Sequence, residues 1–260
     1  MTPSDTIQVF NSQGESYKQA FQVFLDHTDQ KRNAKRWLQQ VVKAMPIRQV
    51  FIDAGAGNGE VTHAFADAFA RTVAIEPNLY LLSQLQQAIP RAEVIGEPIL
   101  KAKPAVKGDL VLYSHILYYI PPEKWLAHLE CLVSWMSPTG VTIVILQNRE
   151  TGCMNMVTTF SITGSSYATS PTCFNRSTGT TLDPAHVDTP DFASAYTVAE
   201  FMLNLLPMRH PPRRQDVETY INLHFAGING TIAFRCTRIF SRSAPDASNL
   251  NLIQACFTRG

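Results

Sequence analysis

This 260-residue chain has almost no surplus of charge of either sign: 22 Lys and Arg stand against 21 Asp and Glu, a formal net charge of +1. No global field exists to hold a phosphate backbone or an anionic membrane surface, so nucleic acid is not an expected partner. Cysteine is sparse as well. Cys131, Cys153, Cys173, Cys236 and Cys256 are odd in number and widely separated, with no C-x-x-C pair and no His at metal-ligand spacing. No metal cofactor is expected, and the pattern favours a reducing, cytoplasmic compartment. The opening "MTPSDTIQVF" lacks the basic start and apolar stretch of a secretory leader, and the longest strand-like run, "VTIVIL", is far too short to cross a bilayer. A soluble protein without a membrane partner is expected.

What is present is enough apolar material for a full core. Hydrophobic residues make up 45% of the chain, and single α/β domains of roughly 200–250 residues are common. Over residues 15–45, Tyr17, Phe21, Phe24 and Leu25, then Trp37, Leu38, Val41 and Val42, recur at three- and four-residue intervals, which predicts two amphipathic helices. Strand-like and helical stretches then alternate from "QVFIDAG" to "GVTIVILQN", and such alternation implies a mostly parallel sheet with helices on both faces. Residues 149–190 dissolve into Ser, Thr, Gly and Asn and read as an irregular insertion, a length of loop that is usually functional. A helix, "TVAEFMLNLL", and two strands, "VETYINLHF" and "GTIAFRCTRIF", follow, the strands forming an antiparallel hairpin at the sheet edge. The expected organisation is one domain overall, with residues 1–46 as an N-terminal helical part and 47–260 as a Rossmann-like core.

The informative stretch is "VFIDAGAGNGEV", residues 50–61. In a strand-turn-helix unit, glycines let the backbone pass close to a ligand, and free N–H groups at the helix start favour negative groups. Gly55, Gly57 and Gly59, with Asn58 between the last two, follow G-x-G-x-G, one residue short of the dinucleotide fingerprint G-x-G-x-x-G. Asp53 at the strand end would repel a pyrophosphate. A phosphate-free nucleoside with a cationic amino group fits it better, and S-adenosylmethionine has that group together with a ribose that needs an acceptor. Glu76, followed by Pro77 at the end of the next strand and roughly 20 residues on, is placed to accept from ribose hydroxyls. Bland alternatives remain: Asp53 as a turn former, Glu76 as a cap for the following helix.

These residues resemble the class I S-adenosylmethionine-dependent methyltransferases, whose first motif is an acid before G-x-G-x-G and whose second is an acid ending the next strand; the match covers residues 48–148. "SYKQAFQVFLDHTDQ" and "SHILYYI" look like the histamine N-methyltransferase group. That resemblance implies a seven-stranded, mostly parallel sheet, an N-terminal helical lid contributing Tyr17, Phe21 and Phe24, and a tyrosine pair, Tyr118 and Tyr119, after the fourth strand. The sequence also departs from that group. Its substrate-reading acid falls on Gln30, its amide near Cys236, and its glutamine becomes His115, so histamine is not carried over as the substrate.

Methyl transfer from a sulfonium is an in-line displacement in which alignment supplies much of the rate. Aromatic faces suit a cationic sulfonium, with cation–π contacts of roughly 0.5–2 kcal/mol, which makes Tyr17, Phe21, Tyr118 and Tyr119 candidate wall residues. Phe21 and Phe24 read equally well as core, and adjacent Tyr118 and Tyr119 cannot both face one way. His115, beside Ser114 at the C-terminal edge of the sheet, is a candidate proton acceptor or a hydrogen-bonded wall residue. Glu97 is a candidate adenine contact or a solvent-facing acid, and Gln147 and Asn148 are candidates either to hydrogen-bond the acceptor or to shape the following loop. The reading is methylation of a small polar or amine-bearing metabolite, most simply at nitrogen. Two alternatives stand beside it: a cyclase that closes a small ring from the cofactor's own methionine and releases methylthioadenosine, and a non-catalytic cofactor-binding module.

Overall fold

A computed structural model of the chain describes residues 5–11, 14–146, 151–160, 185–205, 210–226 and, for the backbone, 232–243. They fall into two compact units. The first is the parallel sheet with its helices. Its strands are β1 (Val50–Ala54), β2 (Arg71–Ile75), β3 (Glu93–Ile95), β4 (Gly108–Ser114) and β5 (Met136–Leu146). They pair in parallel in the order β3-β2-β1-β4-β5, so the chain starts in the middle, runs to one edge and crosses back. That order puts a topological switch point between β1 and β4, where ligands of open α/β sheets bind beyond the carboxyl ends of the strands.

Burial on both faces explains why these segments are near-continuous apolar runs. β4 is buried from Gly108 to Tyr113, as a parallel strand covered by helices on both sides should be. On one face Phe51, Leu110, Leu112, Ile143 and Ile145 pack against Trp37, Leu38 and Val42 of α2 (Gln30–Ala44) and against Phe65 of α3 (Glu60–Ala66) and Phe69 just beyond it. The helix α4 (Leu79–Ala88) lays Leu82 and Leu85 on Ala74 and Val94. α5 (Trp125–Trp135) buries Leu129, Leu132 and His128, and His128 Nδ1 lies 3.0 Å from the hydroxyl of Tyr113 on β4. At the opposite rim from the glycine turn, buried Asp109 ties three segments together: Oδ2 accepts from the N–H groups of Gln49 and Val50, and Oδ1 from the Ser137 hydroxyl.

The second unit is mainly helical. Here α1 (Glu15–His27), α6 (Gly152–Phe160), α7 (Phe192–Leu203) and α8 (Arg214–His224) share a core of Phe24, Met156, Val157, Val198, Phe201, Val217 and Ile221. α7 is nearly all apolar and largely buried, and it starts on a side-chain cap, Asp191 Oδ1 accepting from Ser194 N–H at 2.8 Å. The N-terminal stretch is strapped to this unit: Ile7 N–H donates to the Pro212 carbonyl, and Gln8 N–H to Glu200 Oε1.

Three expectations are corrected. Residues 149–190 are not irregular throughout, because α6 and a strand, β6 (Ala185–Thr189), lie within them. The segment read as the strand "VETYINLHF" lies in α8 and its C-terminal end. β7 (Ile232–Ser243) does form an antiparallel pair, but with β6. The boundary drawn at residue 46 also moves, since the sheet unit begins at Ala34 and takes in most of α2. Cys131 is a free thiol, whereas Cys153 is disulfide-bonded. No described helix is long and apolar enough to cross a membrane, and no group of three or more His, Cys, Asp or Glu among the described residues is placed to hold a metal ion.

Candidate functional site

The glycine turn links β1 to α3. Gly55, Gly57 and Gly59 have φ of 86°, 59° and 83°, all in the left-handed region. At Gly55 a Cβ would stand 2.3 Å from Cδ1 of Ile116, so only a bare backbone fits beneath that side chain. Gly57 is the opposite case: an added Cβ would meet nothing within 4 Å. The backbone there borders open space at the carboxyl edge of the sheet, a place where a ligand can approach the main chain.

Two buried carboxyls flank this opening. Asp53 is 2% exposed and Glu76 5%. Glu76 Oε2 accepts from Gly57 N–H at 2.9 Å and Oε1 from Asn78 N–H at 2.8 Å. Burial pushes its carboxyl up, opposed by those two backbone bonds. A carboxylate has about four lone-pair sites, so two backbone donors leave capacity for a pair of hydroxyls. Asp53 accepts a 2.6 Å bond at Oδ2 from the hydroxyl of Thr62 on α3. Its carboxyl is pushed up to about 7, first by burial and further by the charge of Glu76, while the Thr62 bond pulls it down. Burial and the like charge of Glu76 thus both favour the protonated form of Asp53, with the Thr62 hydroxyl opposing them.

The end of β4 supplies the third part. Ser114 closes the strand opposite Ile145, and His115 N–H extends the ladder to the Ile145 carbonyl at 2.9 Å. His115 has φ of 59°, the one non-glycine residue among those described in the left-handed region. Such conformations in a histidine are uncommon and cluster at functional sites. A single 3₁₀ turn over Leu117–Tyr119 follows and returns Tyr118 to His115: the hydroxyl is 3.5 Å from Nδ1, and the rings stack with centroids 6.0 Å apart.

The expected residues therefore divide. Asp53, Gly55, Gly57, Asn58, Gly59, Glu76, Ser114, His115 and Tyr118 belong to the turn and the adjoining strand tips. Pro77 and Glu97 are exposed on the loops after β2 and β3. The adjacent tyrosines face differently, as their neighbouring positions require, with Tyr118 buried and Tyr119 46% exposed. Tyr17 and Phe21 belong to the helical unit, where their rings lie 5.7 and 5.6 Å from that of Phe201, and Phe24 is plain core against the same ring at 5.3 Å. Gln30 is buried. Gln147 and Asn148 lie outside the described residues. Thr62 was not singled out by sequence, although it stands three residues past the last glycine, within the first turn of α3.

No protein-family model matches the sequence, and no curated protein matches it. Similar solved structures include the N-methyltransferase NodS from Bradyrhizobium japonicum WM9 in complex with S-adenosyl-L-homocysteine, at 16% identity over 51% of this chain and 73% of that one, TM-score 0.45. The sugar N-methyltransferase KedS8 from Streptoalloteichus sp ATCC 53650 is similar at 15% identity over 55% and 58% of the two chains, TM-score 0.44. Magnesium protoporphyrin IX methyltransferase from Synechocystis PCC 6803, with bound S-adenosylmethionine, is similar at 17% identity over 54% and 67%, TM-score 0.41.

Proposed function

We propose that this protein is an S-adenosylmethionine-dependent methyltransferase acting on a small polar or amine-bearing metabolite, with nitrogen as the methylated atom. The observation that carries the reading is the pair of buried carboxyls on either side of an unobstructed glycine backbone, Asp53 at the tip of β1 and Glu76 after β2. S-adenosylmethionine supplies, when bound, an electrophilic methyl group on a sulfonium sulfur. In this reading Glu76 accepts from the ribose hydroxyls, and Asp53 faces the amino group of the methionine part. No phosphate is accommodated beside two acids, which weighs against a dinucleotide.

On the acceptor side, His115 and Tyr118 are the polar groups to which the reading assigns work. His115 takes the proton that an ammonium acceptor must lose before its lone pair can attack, and Tyr118 orients the imidazole through Nδ1. The likeness to histamine N-methyltransferases is confined to this reading and is not extended to their substrate.

Calorimetric titration with S-adenosylhomocysteine tests the carboxylate pair. Asp53→Ala and Glu76→Ala are each expected to lose roughly 1–3 kcal/mol of affinity, the scale for stranding a ligand polar group. Unchanged affinity in both variants refutes the assignment. Product analysis by mass spectrometry against a panel of amines then tests the chemistry. S-adenosylhomocysteine formed with a methylated amine supports transfer, whereas methylthioadenosine released without any acceptor rejects it in favour of ring closure.

A further inference from the structure

We propose that Thr62 is a positioning residue for cofactor capture: its hydroxyl clamps one oxygen of Asp53 and so presents the other to the ammonium group of the bound nucleoside. The inference rests on the cofactor reading above and goes beyond it to a residue outside the glycine motif. Thr62 is fully buried in α3, and its bond to Asp53 Oδ2, at 2.6 Å, is short, in the range of a hydroxyl donating to a carboxylate. Among the described residues no other group donates to Asp53. The hydroxyl therefore does two things at once. It fixes the carboxyl torsion, leaving Oδ1 for a ligand donor, and it stabilises the ionised form that a cationic ligand needs.

The surroundings of Asp53 make that second effect matter. Its register neighbours are Ala74 on β2 and Leu112 on β4, which carry no charge; from α3 the neutral Thr62 bonds to it, while Glu60 and His63 of that helix are exposed. Among the described residues the charged group acting on it is Glu76, whose sign opposes ionisation. With burial and a like charge both favouring the protonated acid, one hydroxyl is the local counterweight.

The test is a pH series of calorimetric titrations on the whole chain, using S-adenosylhomocysteine and, as a probe without an ammonium group, methylthioadenosine. Affinity for S-adenosylhomocysteine should rise with pH while Asp53 ionises and fall again as the ligand's own amine, a free amino-acid ammonium that titrates above the roughly 8 of a peptide α-amino group, loses its proton. In Thr62→Val the acid limb should move up by about one pH unit, which is about a tenfold loss at a fixed pH on that limb, with the alkaline limb unmoved. Thr62→Ser should restore the wild-type profile, and methylthioadenosine should show no Asp53 limb in any variant. If the wild-type protein binds and Thr62→Val leaves the acid limb in place, or Thr62→Ser shifts it as far as Val does, the positioning role is overturned and the cofactor reading stands. If the wild-type protein binds neither probe at any pH, the cofactor reading falls and takes this inference with it.

Discussion

At Gly55 and Gly57 one residue type meets two different needs, and substitution should separate them. Both have positive φ, so an alanine at either costs about 1–2 kcal/mol in backbone strain. Gly55→Ala also drives a methyl into Ile116, which must turn away, and a total loss of about 2–4 kcal/mol is expected in denaturant unfolding. Gly57→Ala meets no neighbour, so its stability loss should stay near the strain alone. Its methyl instead occupies the space beside the Glu76-bonded N–H, and S-adenosylhomocysteine binding should weaken by tenfold or more. Full affinity in Gly57→Ala would mean that the opening is not where the ligand lies. The glycines, Asp53 and Glu76 were legible in the sequence because their chemistry is local: a strand tip, a turn and a second strand tip fix their placement. Thr62 was not, since its partner depends on how α3 turns after Gly59, which no spacing rule reports.

At the scale of elements, the start of α4 couples a helix cap to the site. Asn78 Oδ1 accepts from the N–H groups of Tyr80 and Leu81, while Asn78's own N–H donates to Glu76. Asn78→Ala removes the cap but keeps the backbone donor. A loss of about 0.5–2 kcal/mol in thermal or denaturant stability is expected, with cofactor affinity within about twofold of wild type. A large affinity loss would show instead that the side chain, and not the backbone, holds Glu76 in place. Elements with a clean period were readable: the five parallel strands as apolar runs between helical patterns, and α1 and α2 from three- and four-residue recurrence. α8 misled because its sequence carries both periods. Val217, Thr219, Ile221, Leu223 and Phe225 alternate like a strand, yet Val217, Ile221 and Phe225 also recur every four residues. Burial of those three, with Leu223 75% exposed, shows the helical period prevailing through packing that no local propensity encodes. α6 was hidden by its Ser/Thr-rich surroundings, although Cys153, Met156 and Val157 already stand at helical spacing and are buried together.

For the molecule as a whole, Asp53 links folding to pH with a sign opposite to that of most carboxylates. Its native carboxyl titrates near 7, against about 3.9 in the unfolded chain. Between those values the native state keeps a proton that the unfolded chain releases. The stability at stake is therefore fully present below about pH 4, is lost as pH rises toward 7, and stays lost above it. Glu76 and Glu200, also raised by burial, act in the same direction, and Asp191, lowered chiefly by the Ser194 N–H bond, acts against them. The total pH profile mixes all of these, but a difference between variants isolates one group. Asp53→Asn keeps the shape and an oxygen for Thr62 without the charge. It should match the wild type in unfolding free energy near pH 4 and exceed it at pH 8 by a few kcal/mol, the scale of a pKa displaced by about three units. Saturating S-adenosylhomocysteine at pH 7, where its amine is still a cation, should narrow that gap, because a ligand ammonium stabilises the wild-type carboxylate and gains little from the amide. A difference that stays flat from pH 4 to pH 8 would show that Asp53 is ionised throughout. A gap that the ligand leaves untouched would separate the buried acid from cofactor capture. Natural proteins tolerate such destabilised charges where binding uses them, and on the proposed function the stability forgone by the free chain is what a cationic ligand would restore.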